Sequence, residues 1–156
     1  MPKQYKREKL LKQIITTQSR LAAAEFDLSE FMQLVVQQIK SLTPATGVVI
    51  ELVDGKEMVY RATTGTLKNH VGLRLPINGS ISGLCVKNSK VLHCDDTEKD
   101  SRVDVEAYRK VGARSLVVAP LLHNGKALGV LKIISKKPKA FSQQDVSTLQ
   151  LMAGLV

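Results

Sequence analysis

A chain of 156 residues with 44% apolar content and a mean hydropathy of −0.03 has the material for one packed domain. Two cysteines, Cys85 and Cys94, exclude a disulfide framework and a four-cysteine zinc site, and no run approaches the ~20 apolar residues of a membrane span. The net charge of +9 is uneven, because Lys3, Lys6, Arg7, Lys9, Lys12 and Arg20 stand against Glu8 alone in residues 1–20. With three Tyr, three Phe and no Trp there is no aromatic platform for single strands, so a solvated basic segment is expected rather than a specific nucleic-acid site.

The first segment, 1–24, reads as a basic amphipathic helix without the apolar core of a secretory signal, which points to the cytoplasm. Leu10, Ile14, Thr17, Leu21, Ala24, Leu28 and Phe31 recur at alternating spacings of four and three. That seam either meets a partner helix, giving a homodimer, or folds back on its own domain. Asp27 followed by Glu30 reads as a capping box opening a second helix, whose apolar face is Phe31, Met32, Val35, Val36, Ile39 and Leu42. Pro44 stops it.

Two β-branched runs follow, 48–53 and 57–63, joined across Asp54-Gly55 as a hairpin. Beyond a polar loop, a short strand is expected at 73–77, a helix opened by Ser80, and a short strand in 90–96. The acidic loop 95–104 leads into a helix that Gly112 ends. Strands 114–122 and 126–135 make a second hairpin across Asn124-Gly125, a sequence suited to a type I′ turn. A last helix opens at Ser142, with Asp145 at the capping-box position, and its pattern runs to Val156, as if continuing into a further module. The order gives an α+β domain over 25–156: one antiparallel sheet, helices 28–42 and 142–156 on one face, and the 65–112 loops on the other.

Two clusters look chemical. Asp95, Asp96, Asp100 and Asp104 lack the register of an EF-hand, so they read as helix caps and ion-pair partners of Lys99 and Arg102, with no metal. His93 and Cys94 are strand neighbours whose side chains point to opposite faces, so they cannot form a nucleophile and base pair directly. No catalytic residue is assigned.

The segments "NGSISGLCVKNSKVLHCDD", "DDTEKDSR", "VGARSLVVAPL", "GKALGVLKIIS" and "AFSQQDVSTLQLMA" together resemble the GAF family of small-molecule sensor domains. The resemblance implies a ligand pocket between the sheet and the 65–112 loops, with Asp96, Arg102, Tyr108, Arg114 and Ser115 as polar groups and Leu84, Val103 and Val117 as apolar wall. It names no cofactor. It also implies a bacterial signalling protein whose output module is a diguanylate cyclase or a sensor histidine kinase, with dimeric terminal helices carrying the signal. Free methionine sulfoxide reductases in the family use cysteines in the glycine-rich segment and the acidic loop. Here Ser82 stands in the first of those places, and no cysteine follows Cys94. Bilin attachment would need a cysteine between Asp95 and Gly112, which is lacking, and the cyclic-nucleotide signature cannot be placed. The alternatives to a sensor are such a reductase or a ligand-free dimerisation module.

Overall fold

Alternation along the central strands divides the apolar residues into two layers, one on each face of a six-stranded antiparallel sheet. The computed structural model describes residues 2–23 and 28–156. Helix α1 (Pro2–Ala23) and α2 (Leu28–Leu42) lead into β1 (Gly47–Asp54), β2 (Glu57–Gly65) and β3 (Arg74–Pro76). There follow α3 (Ile81–Asn88), β4 (Leu92–Cys94), a single 3-10 turn at Thr97–Lys99, and α4 (Val105–Val111). The β5 (Ser115–His123) and β6 (Lys126–Ser135) hairpin and α5 (Gln143–Ala153) complete the chain. The strand order is β3-β2-β1-β6-β5-β4, so β1 and β6 lie in the middle.

On one face, Val48, Ile50, Val117, Ala119, Leu131 and Ile133 meet Val35, Val36 and Ile39 of α2 and Val146, Leu149 and Met152 of α5. On the other, Val49, Leu116, Val118, Val130 and Ile134 are covered by Leu67, Ile81, Val103 and Tyr108 from the segment between β2 and β5. The expected α+β layering is therefore the one observed.

Local signals set most element ends. Asn124 (φ 51) and Gly125 (φ 76) turn the second hairpin in the left-handed region that a type I′ turn needs. Ser142 and Asp145 form a reciprocal capping box, Asp104 caps α4, and Gly112 (φ 70) closes it.

Two expectations change, and one open alternative narrows. The final helix does not run to Val156: it stops at Ala153, and Gly154 takes the C-cap. The first hairpin turns at Gly55-Lys56 with only Gly55 at positive φ (63), because Asp54 still pairs with Glu57. In the N-terminal seam, Leu10, Ile14 and Thr17 are buried, and Leu10 and Ile14 pack in the α2 and α5 core, so these positions fold back on their own domain. Ala24 and Asp27, the expected boundary at 24/25, and the side chain of Leu21 lie outside the described residues. No described helix is long and apolar enough to cross a membrane.

Candidate functional site

Each of the two central strands carries one charged residue inside an apolar run, Glu51 in β1 and Lys132 in β6, and both side chains are 0% exposed. Val49 pairs with Lys132 and Glu51 with Val130, so the two charges stand diagonally across adjacent strands on the same face. Lys132 Nζ lies 3.0 Å from Glu51 Oε2. A third side chain reaches this point through a fault in the sheet. Ile50 pairs with Ala62, but Glu51 pairs with Tyr60, which leaves Arg61 unpaired as a bulge. Without the extra residue Tyr60 and Ala62 would share a face. With it, Ala62 faces the helix layer and Tyr60 faces the loops.

The covering helices supply the rest. Ser82, in the first turn of α3, donates to Glu51 Oε2 (2.8 Å) and accepts from Lys132 Nζ (3.2 Å). Lys132 Nζ also donates to Tyr60 Oη (3.2 Å) and Tyr108 Oη of α4 (2.9 Å), and sits 5.3 Å and 4.9 Å from the two ring centroids. Helix α3 lies close against the loop before it because residue 83 is Gly: a Cβ there would stand 1.8 Å from the Ile77 carbonyl oxygen. Ser80 caps the helix through the Gly83 N–H.

Burial alone would push the Lys132 ammonium down, but Glu51 and the two phenols outweigh it and hold it well above the usual lysine range. Burial pushes the phenols of Tyr60 and Tyr108 up, more than the neighbouring ammonium pulls them down. The cluster is thus a cation beside a carboxylate with neutral hydroxyls. Glu51 Oε1 is buried without a hydrogen-bond partner. Such an atom is costly to leave alone.

Of the residues read from the sequence, Tyr108 belongs to this cluster and Val103 lies in its apolar surround. Leu84 is half-buried on α3. The charged residues instead tie the rim together. Asp96 caps the 3-10 turn and pairs with Arg114 (3.1 Å), while Arg102 pairs with Asp100 and donates to the His93 carbonyl (2.8 Å). Arg102 holds the Asp100 carboxyl well below the usual carboxylate range, and Arg114 lowers Asp96. Ser115 and Val117 require correction: Val117 packs in the helix-side core, and Ser115, two residues before it, bonds the Lys137 carbonyl and the Ala140 N–H, so neither faces the loops. Glu51, Tyr60, Ser82 and Lys132 were missed as site residues. The signal for two of them was an isolated charge in the middle of an apolar strand.

Both cysteines are buried, and burial pushes each thiol up to about 12. Cys85 faces the Val118 carbonyl, and the neighbouring Asp100 adds to the rise of the Cys94 thiol. Among the described residues no three His, Cys, Asp or Glu side chains gather as a metal site.

A sequence profile of the GAF domain matches residues 26–156. No curated protein sequence matches the chain. Similar solved structures include the GAF domain of the Coxiella burnetii phosphoenolpyruvate-protein phosphotransferase, with 22% identity, TM-score 0.80, and 94% of this chain and 89% of that one covered. The GAF domain of the Acinetobacter phosphoenolpyruvate-protein phosphotransferase is similar at 19% identity and TM-score 0.79, with the same coverage of 94% and 89%. The Neisseria meningitidis free methionine-R-sulfoxide reductase, solved with its substrate, is similar at 22% identity and TM-score 0.76, over 95% of this chain and 83% of that one. At these identities the likeness is one of fold.

Proposed function

The chain belongs to the GAF domain family, and from that premise we propose that it is the sensory domain of a bacterial signalling protein. It takes a small molecule into a chamber that opens between the sheet and α3 and α4, around side chains that are closely buried in this structure. The observation that carries this reading is the convergence of Glu51, Lys132, Tyr60, Ser82 and Tyr108 in an otherwise apolar layer, with one carboxylate oxygen unpartnered. A buried ion pair adds little stability over apolar residues of the same shape, so stability alone gives weak reason for one here. Because Ser82 and Tyr108 bond the Glu51–Lys132 pair from α3 and α4, a ligand that enters beside the pair would shift both helices relative to the sheet. A thermal-shift screen of metabolites, nucleotides, nitrate and haem tests it: a compound at 100 times its dissociation constant stabilises the fold by about 2.7 kcal/mol. That corresponds to roughly 5–10 °C for a domain of this size.

Signal transfer through paired terminal helices, to a diguanylate cyclase or a histidine kinase, belongs to the same proposal. With Leu10 and Ile14 packed inward, the apolar surface that α1 offers a second copy among the described side chains is Tyr5, Leu11 and Ile15, at 68%, 45% and 60% exposed. Sedimentation of the intact chain beside a Leu11→Glu/Ile15→Glu variant tests this: a dimer that the variant abolishes supports it, and a monomer in both removes it.

A ligand-free dimerisation module is a second reading, favoured by the fact that Lys132, Tyr60 and Tyr108 are buried against one another in the layer between the sheet and α3 and α4. An empty screen with a persistent dimer would select it. Free methionine sulfoxide reduction has less support, because both thiols are buried and pushed up to about 12.

A further inference from the structure

The chemistry of the ligand follows from which valences the buried cluster leaves open, and the inference rests on the chamber being a ligand site. Lys132 Nζ has four oxygen neighbours within 3.2 Å: Glu51 Oε2, Ser82 Oγ, Tyr60 Oη and Tyr108 Oη. Three N–H groups cannot serve a fifth acceptor. Glu51 Oε2 likewise receives both Lys132 and Ser82. The one polar atom of the cluster left with no partner at all is Glu51 Oε1, which is fully buried. A ligand that satisfies this atom must bring a hydrogen-bond donor.

Charge balance narrows the donor. Glu51 and Lys132 cancel within a layer where both are 0% exposed. A ligand ammonium on Oε1 would add a second cation beside that of Lys132 on the same carboxylate, where low dielectric makes like-charge repulsion strong. A carboxylate or a fully ionised phosphate has no donor to offer Oε1. It would have to displace Glu51 from Lys132 and leave a buried carboxylate without its counter-ion. An uncharged N–H donor satisfies Oε1 and leaves the pair intact. The surround of Val49, Met58, Leu67, Ile81, Val118 and Val130 suits an apolar body attached to that donor. We infer that the chamber takes a small uncharged molecule presenting a hydrogen-bond donor, such as an amide or ring N–H or a hydroxyl, to Glu51 Oε1.

Benzamide, benzoate and benzylammonium have nearly the same shape and differ in charge, so they serve as probes. Each is titrated into the intact protein at neutral pH, with thermal shift and backbone amide NMR as readouts. Benzamide is expected to raise the melting temperature and move amide signals of β1, β6 and α3, and both charged analogues to bind at least tenfold more weakly. The charge-balanced Glu51→Gln/Lys132→Met variant should lose at least tenfold in benzamide affinity. If that variant does not fold, the order of the three probes on the natural chain decides. Binding of benzoate or benzylammonium at these strands with benzamide inert overturns the ligand class and leaves the chamber standing as a ligand site. Benzamide signals confined to other surfaces also overturn the class, as does failure of all three probes while a screened metabolite moves the chamber signals. If neither probes nor metabolites move those signals, the chamber reading falls, and this inference with it.

Discussion

Replacing Lys132 by Met removes the cation from a site that is 0% exposed and leaves the Glu51 carboxylate with only Ser82 as a donor. Loss of one partner of a buried pair typically costs about 3–5 kcal/mol. Against a total stability of roughly 5–15 kcal/mol, that is a large fraction. At about 2–4 °C per kcal/mol for a domain of this size, the melting temperature should fall by roughly 6–20 °C. The Glu51→Gln/Lys132→Met variant keeps an acceptor for Ser82 and carries no buried charge, so it should sit within about 2 kcal/mol of the natural chain. The double-mutant cycle, measured by urea unfolding at pH 7, is then strongly non-additive, with a coupling of at least about 2 kcal/mol. Additive effects, or a Lys132→Met cost below about 1 kcal/mol, would refute the claim that these two charges hold each other in a dry layer.

Other outcomes follow from the same geometry. Cys85 and Cys94, buried and with thiols pushed up to about 12, should resist alkylation at pH 8 in the native state and react fully on unfolding; rapid native labelling of either would reopen the reductase reading. Those raised thiols bind more protons folded than unfolded above the unfolded value of about 8.5. Stability should therefore fall as pH rises from about 9 toward 12, seen as a declining urea midpoint, and a flat profile would contradict the burial of both groups. Gly83→Ala would drive a methyl into the Ile77 carbonyl at 1.8 Å, so it should lower the melting temperature by several degrees and move amide signals of α3; a neutral substitution would mean that α3 does not lie so close to the loop before it. Ser142→Ala removes the capping box of α5 and should cost about 1 kcal/mol in urea unfolding, with no change in ligand response.

What could be read from the residues was whatever depends on near neighbours in the chain. Ser80, Asp104, Gly112, the Asn124-Gly125 turn and the Ser142/Asp145 box were all legible, because each side chain acts on backbone within a few residues of itself. The fold class followed from their order. The site did not, because Glu51 and Lys132 meet only once β1 and β6 are in register, and Tyr60 joins them only because Arg61 bulges out of β2. Parity also explains the misplaced wall: in β5, Val117 faces the helices, and its neighbours Leu116 and Val118 face the loops. The acids and arginines of the rim attracted notice by their density. Arg102 nevertheless pairs with Asp100, two residues away, and Asp96 with Arg114, across the α4 segment. These pairs fix loops at the surface, whereas a lone charge inside each central strand was the better guide to the buried cluster.

The most direct test of the central claim is a side-by-side thermal-shift screen of the natural chain and the Glu51→Gln/Lys132→Met variant against the same metabolite library. If the buried cluster is the sensing site, at least one compound raises the melting temperature of the natural chain by about 5–10 °C at saturating concentration and leaves the folded variant unmoved. Compounds that stabilise both proteins equally would contradict it, because the ligand would then be bound without Glu51 and Lys132.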